Sequence, residues 1–273
     1  DTDDGGSTTA PAPGFLSALA EQPVDATPLG IAVDPTGREA WIPTGDGVIQ
    51  IWDLEPGSAT QFEQIGEIST DADDQSFLGL RPALAFGRTG QRVYALGEQQ
   101  LHVIDAALRD VVTTIALGAQ PSDVMESTTG DLVYVTDIDG GVSIVPVAAT
   151  STSQVLDADG SLRGLTIGPA GGLGYFADRR DEEIVIFDLR AGSPSFRTVI
   201  GEFPTGEDPI DVAVAPDGSG VFTISEGSQS LDVFGIGFGP QIDSLYPPYV
   251  LPGHVLAFGG SGFAVADSAT VDG

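Results

Sequence analysis

The chain contains no cysteine, no lysine and no asparagine, and only two histidines in 273 residues. Without cysteine there is no disulfide, no thiolate nucleophile and no Cys-based metal site. Without lysine there is neither a phosphate-binding P-loop nor a Schiff base. His102 and His254 stand far apart, a poor basis for a zinc site or a catalytic triad. His102 alternates within the strand-like run LHVID and is expected on a strand face, and His254 in a turn. No G-x-S-x-G nucleophile elbow occurs. Positive charge is also scarce: all ten basic residues are arginine, against 40 acidic ones, for a net charge of −30. Binding a phosphate backbone needs clustered cations, so nucleic acid is excluded as a partner, and an anionic membrane surface would repel the chain. The one adjacent basic pair, Arg179-Arg180, lies among Asp178, Asp181, Glu182 and Glu183 and reads as a solvated loop. No run approaches the roughly 18 consecutive apolar residues of a transmembrane helix. Free use of aspartate without asparagine or lysine fits codon bias in a GC-rich genome, and it also suits a salt-adapted surface.

What the chain has is a repeat. Five times an aliphatic residue lies six positions before a glycine and an aromatic four after it: Ile31-Gly37-Trp41, Leu84-Gly90-Tyr94, Val124-Gly130-Tyr134, Leu165-Gly171-Tyr175 and Val212-Gly218-Phe222. The glycines are 53, 40, 41 and 47 residues apart. That period, with several strand-like runs per unit, predicts an all-β β-propeller of four-stranded blades. A short inner strand (LGIAVDP, PALAFGR, IDVAVAP) leads to a turn whose closing glycine supplies positive φ. The second strand carries the aromatic, the third ends in aspartate at Asp53, Asp105 and Asp188, and a less patterned outer strand follows. Pro146 and Gly235 break the aspartate rule. The five aromatics are expected in the core, where each buries on the order of 150–250 Å².

Three regions follow. Residues 1–14, acidic and rich in Pro and Gly, cannot bury enough surface to order themselves and read as a flexible leader. Their composition is that of the tether after the lipid-bearing cysteine of a bacterial lipoprotein, which would anchor the chain through a residue preceding it. Residues 15–236 form the propeller. Residues 237–273 begin a separate domain and stop within it, so the sequence is expected to be a fragment. Residues 15–24 (FLSALAEQPV) could complete the fifth blade as its outer strand, and the strand count narrowly favours that five-bladed closure over further blades elsewhere.

The recurring P-x-x-(I/V)-A-x-x-P-x-G, followed by an aromatic strand and an (I/V)-x-(I/V)-x-D strand, resembles the YVTN-type bacterial surface β-propeller repeats. Residues 208–218 (DPIDVAVAPDG) and 131–137 (DLVYVTD) match best, and the resemblance covers about 28–236. It implies a secreted or surface protein, usually with a seven-bladed ring. Residues 240–263 resemble the start of an IPT/TIG immunoglobulin-like domain through Pro240, Ile242, Pro247, Gly253, Leu256, Phe258, Gly260, Gly262 and Phe263. The repeats also resemble lactonase-type propellers.

Two kinds of candidate site remain. Aligning the repeats at the start of each inner strand gives one row of Pro28, Arg81, Pro121, Leu162 and Pro209. The next row is Leu29, Pro82, Ser122, Arg163 and Ile210, and the third is Gly30, Ala83, Asp123, Gly164 and Asp211. Arg81 and Arg163 would thus converge at one mouth of the ring with Asp123 and Asp211. They would either bind a small anionic ligand there or neutralise the two aspartates. Separately, Asp137-Asp139-Gly140, Asp157-Asp159-Gly160 and Asp71-Asp73-Asp74 offer hard oxygen ligands of the kind calcium takes, without completing an EF-hand loop. Calcium is the one candidate cofactor. The expected function is a non-enzymatic extracellular or cell-surface platform for binding, adhesion or assembly. Its partners would be a protein, a glycan or further copies of itself, as in a surface filament. A lactonase-like hydrolase is the alternative, which needs polar groups converging on the ring axis.

Overall fold

The computed structural model describes residues 19–70, 84–97, 99–117, 120–148, 154–236, 241–246 and 257–261. The leader 1–14, Arg81, Asp71-Asp73-Asp74 and His254 therefore lie outside the described residues, as does most of 237–273. The chain divides into two compact units, residues 1–115 and 116–273.

The first unit holds two antiparallel sheets, each in sequential strand order. One is β1 (Ala32–Val33), β2 (Glu39–Pro43), β3 (Val48–Asp53) and β4 (Gln64–Ser69). The other is β5 (Leu84–Phe86), β6 (Arg92–Leu96), β7 (Gln100–Asp105) and β8 (Asp110–Ala116). The second unit holds three. Its first blade is β9 (Pro121–Glu126), β10 (Leu132–Asp137), β11 (Gly141–Pro146) and β12 (Gln154–Asp157). Its second is β13 (Leu162–Ile167), β14 (Leu173–Asp178), β15 (Glu183–Asp188) and β16 (Val199–Pro204). The third has three strands, β17 (Pro209–Val214), β18 (Gly220–Ser225) and β19 (Ser230–Gly235). A further hairpin pairs β20 (Gln241–Tyr246) with β21 (Ala257–Ser261).

The turns follow from the repeat. Gly37, Gly90, Gly130, Gly171 and Gly218 have φ between +70° and +76°. Each donates its N–H to the carbonyl three residues back, closing the turn between first and second strands. The third-strand aspartates organise the loop to the outer strand. Asp53, Asp105 and Asp188 each accept a backbone N–H from two residues on. Their own carbonyls accept the N–H of a left-handed residue further along, Phe62, Arg109 and Arg197.

Trp41, Tyr134 and Tyr175 each look toward the blade that follows them. Trp41, Ile49 and Ile51 pack with Val93, Ala95 and Ile104, and Trp41 meets Phe86 edge-on at 5.4 Å. Tyr134, Val142 and Ile144 pack with Leu165, Phe176, Val185 and Phe187. Tyr175, Ala177 and Ile184 pack with Val212 and Val221. Trp41, Tyr94, Tyr134 and Tyr175 are buried, as the repeat predicts. Phe222 is only half-buried, and Ile224, Leu231 and Val233 on the same side of its sheet are exposed. Of residues 15–24, expected as the outer strand of the fifth blade, 15–18 lie outside the described residues and 19–24 take no strand, and among the described residues nothing pairs with the free edge of β19.

Candidate ligand site at the inner strands of the second unit

The three inner strands of the second unit begin at Pro121, Leu162 and Pro209, the residues that share a row in the repeat alignment. Each pairing with its second strand is irregular at that point. Pro121 pairs with Asp137 and Asp123 with Thr136, leaving Ser122 over. Leu162 pairs with Asp178 and Leu165 with Phe176, leaving Arg163 and Gly164 opposite Ala177 alone. Pro209 pairs with Ser225 and Asp211 with Ile224, leaving Ile210 over. An extra residue of this kind bends the strand and re-aims its side chain. The second row of the alignment is therefore the bulge position, and Arg163 is the charged residue it carries.

The groups around it are tied into the strands. Ser122 Oγ donates to the Leu162 carbonyl at 2.7 Å and lies 2.9 Å from Thr136 Oγ1. Asp123 accepts the Val124 N–H through one carboxylate oxygen and the Leu165 N–H of the next blade through the other, both at 2.8 Å. Asp211 accepts the Val212 N–H. Asp123 and Asp211 thus act as acceptors for backbone donors. Gly164 lets the blades come this close: a Cβ there would stand 2.7 Å from both Cα and Oδ1 of Asp211.

Arg163 differs. It is half-buried and its Nε is enclosed without a hydrogen-bond partner. Burial, and after it the neighbouring Arg179 charge, holds its guanidinium below the ordinary arginine value, while Asp208 and Glu226 pull the other way. Arg179 is occupied: its Nε donates to Asp208 at 2.9 Å and its Nη2 lies 3.9 Å from Glu226. The hydrogen bond to Asp208 raises its pKa. A neighbouring cation with spare donors beside a clamped one can receive a carboxylate, since guanidinium offers planar, paired donors. The sequence singled out Arg163, Asp123 and Asp211. It missed Arg179, Asp208 and Glu226 by reading Arg179-Arg180 as a solvated loop, although Arg179 directly follows the end of β14 beside the bulge.

The acidic turns are also brought together. Asp157 lies opposite Gly141, and the Ala158 N–H reaches the Gly140 carbonyl at 2.8 Å. The Asp137-Asp139-Gly140 and Asp157-Asp159-Gly160 stretches, read as separate in sequence, therefore sit side by side. Asp137 is buried and accepts the Asp139 N–H; burial raises its pKa, with the Asp139 charge adding to the rise. Asp139 and Asp159 are exposed. Arg180 Nη1 donates to the Asp159 carbonyl and lies 4.0 Å from its carboxylate. Asp178, at the position in β14 that Asp137 holds in β10, takes the N–H groups of Ser161, Arg180 and Asp181 on one oxygen. Among the described residues no three acidic or histidine side chains gather as a metal site would require. His102 is buried, with its Nδ1 3.1 Å from Thr114 Oγ1. No helix among the described residues is long and apolar enough to cross a membrane.

Antiparallel sheets of three or four strands in sequential order, repeated along the chain, define it as an all-β protein of the β-propeller class. No protein-family profile matches it. Over 127 residues it is 28% identical to the seven-bladed β-propeller protein Rv1057 of Mycobacterium tuberculosis. That match takes in 45% of this chain and spans 30% of the relative's length. In three dimensions it resembles the crystal structure of a functionally unknown protein from Desulfotomaculum acetoxidans DSM 771, with a TM-score of 0.65 at 14% identity. That likeness covers 89% of this chain and 73% of the other.

Proposed function

We propose that this chain is a non-enzymatic propeller platform of an extracellular or cell-surface protein. On this reading it has YVTN-type repeats and the beginning of an IPT/TIG domain in 237–273, and it binds a carboxylate-bearing protein or glycan at Arg163. The observation that carries the binding site is the enclosed, partnerless Nε of Arg163 on a strand bulge, beside an arginine already committed to Asp208. The non-enzymatic reading is supported by the employment of the nearby acids. Asp123 and Asp211 accept backbone N–H groups that hold the blades together, which leaves them poorly placed to move protons. Surface exposure draws on the YVTN resemblance and on the acidity that keeps a protein of net charge −30 in solution.

The test is calorimetric titration with uronic-acid and sialylated oligosaccharides and with acidic peptides, run beside a sugar-lactone hydrolysis assay. Binding that weakens at least roughly tenfold in Arg163→Gln, as expected for a charged pair worth above 1.4 kcal/mol, supports the reading. Lactone turnover by the wild-type protein, lost in the same variant, overturns it in favour of a hydrolase. Affinities that Arg163→Gln leaves untouched remove the site.

A further inference from the structure

Four Asp-Gly pairs fall among the described residues: Asp46-Gly47, Asp139-Gly140, Asp159-Gly160 and Asp217-Gly218. This dipeptide carries a reaction of its own, because the glycine nitrogen can close a five-membered ring on the aspartate Cγ and no Cβ shields it. Attack of that nitrogen on Cγ forms a succinimide, and the N–H hydrogen and the carboxyl OH leave as water. Water then opens the ring. Addition at Cγ restores aspartate. Addition at the main-chain carbonyl carbon breaks the original peptide C–N bond and leaves the chain joined through Cγ, an isoaspartate. Nothing is oxidised or reduced, and the mass is unchanged.

A backbone N–H held in a turn is withheld from this attack. Gly47 donates to the Thr44 carbonyl at 3.1 Å, Gly140 to Asp137 at 3.0 Å and Gly218 to Ala215 at 2.8 Å. Gly160 is the exception: among the described residues its N–H has no acceptor. Asp159 is left-handed, with φ of 52°, and its side chain stands out in solvent. Arg180 adds a chemical push. Its Nη1 donates to the Asp159 carbonyl at 2.9 Å, the oxygen of the very peptide group whose nitrogen would attack. A guanidinium there draws electron density from the amide and favours its deprotonated form, as such donors do for any developing oxyanion.

We propose that Asp159-Gly160 is a site of spontaneous isoaspartate formation in the folded protein, with Arg180 as the promoting group. The product carries one more backbone carbon between β12 and β13. The surroundings leave little slack for it. A Cβ on Gly140 would stand 2.6 Å from the Gly160 nitrogen, and one on Gly160 would collide with the Asp178 carboxylate. The next N–H, that of Ser161, is bonded to Asp178. The extra carbon therefore pulls on the start of β13, the strand that carries Arg163.

The test holds the native protein at about pH 6 and 37 °C for several weeks and locates isoaspartate in peptide maps by electron-transfer fragmentation. A sample unfolded in urea, where all the Asp-Gly N–H groups are released, is the reference. In the folded protein Asp159 is expected to convert at least roughly fivefold faster than Asp46, Asp139 and Asp217, the factor that corresponds to one turn hydrogen bond of about 1 kcal/mol. In urea the four rates should converge. Asp159→Glu, which would need a six-membered ring, should remove the product at this position. Arg180→Gln, an exposed substitution, should slow it several-fold with an unchanged circular dichroism spectrum. Equal rates at the four pairs in the folded protein overturn the proposal, as does faster conversion at any of the other three. An Arg180→Gln rate equal to wild type overturns it as well, because the promoting group would then be absent.

Discussion

Two aspartates at the ends of strands in neighbouring blades respond to folding in opposite directions. Asp188 is fully buried at the end of β15 and is bonded by Arg190, Ser193 and Ser195. These donors, Arg190 foremost, lower its pKa well below the usual carboxylate range. A carboxylate depressed in this way stabilises the fold above its unfolded value of about 3.9 and loses that contribution as pH falls toward its folded value. Asp188→Asn is therefore expected to lower the melting temperature at pH 7, with the gap from wild type starting to narrow only as pH falls below about 4. Asp137 has the reverse sign, since burial raises its pKa. Its penalty is absent below the unfolded value and grows as pH rises through the folded one, so Asp137→Asn should raise the melting temperature at pH 7 with little effect in acid. Thermal scans of both variants across pH 3–7 check the pair, and slopes of the same sign would refute the argument. The third-strand aspartate was visible in the sequence as a recurrence, at Asp53, Asp105 and Asp188. Its loop-closing role was not, because the donors lie in irregular segments with no period. Asp178 escaped notice for a related reason: it sits beside Arg179-Arg180 in a run of charge that masks its alignment with Asp137.

At the scale of strands, the inner edge of each blade is set by how closely backbones approach. Gly164 lies in the bulge of β13 with Asp211 of β17 against it. β13 and β17 are the inner edge strands of their sheets, tied to β14 and β18 and packed against each other, so the backbone has little room to yield. Gly164→Ala is expected to cost about 1–3 kcal/mol, the usual penalty of overpacking, read as a lower midpoint in urea unfolding. A midpoint equal to wild type would show that β13 and β17 separate without strain. The strands themselves were largely legible. Alternation, turn glycines and the aromatic register placed the second and third strands almost to the residue, since in the first four blades those strands are largely buried. The outer strands were harder: β4, β8 and β16 keep at most one buried position each, so the pattern relaxes. The bulge at row two was invisible, since nothing in Ser122, Arg163 and Ile210 marks a shared backbone irregularity. The ligand site was therefore foreseen as a convergence of aligned positions, without the mechanism that turns Arg163 out of the ladder.

For the molecule as a whole, charge is the dominant unbalanced term. With 40 carboxylates against ten arginines, most acids have no cation to meet, and the compact state is strained by self-repulsion. Arg190–Asp188 apart, described ion pairs such as Arg38–Glu55 and Arg179–Asp208 sit at the surface, where such pairs contribute little. Salt should therefore stabilise the fold at neutral pH by screening repulsion more than it weakens pairing. Each 1 kcal/mol so gained corresponds to about 2–4 °C in melting temperature for a chain of roughly this size. A melting temperature that falls between low and molar sodium chloride would mean that the pairs outweigh the repulsion. Composition gave the sign of this effect without any structure, whereas the exposure of Ile224, Leu231 and Val233 in β18 and β19 could be found only once burial was known.

The constant orientation of the repeat aromatic gives the architecture a direction of growth. Because Trp41, Tyr134 and Tyr175 each face the blade that comes after them, a repeat copied and pasted behind its parent meets a socket already shaped for it, and in turn offers the same socket onward. Tandem duplication can thus alter the number of blades without redesigning a single junction, leaving only the two end faces to be reconciled.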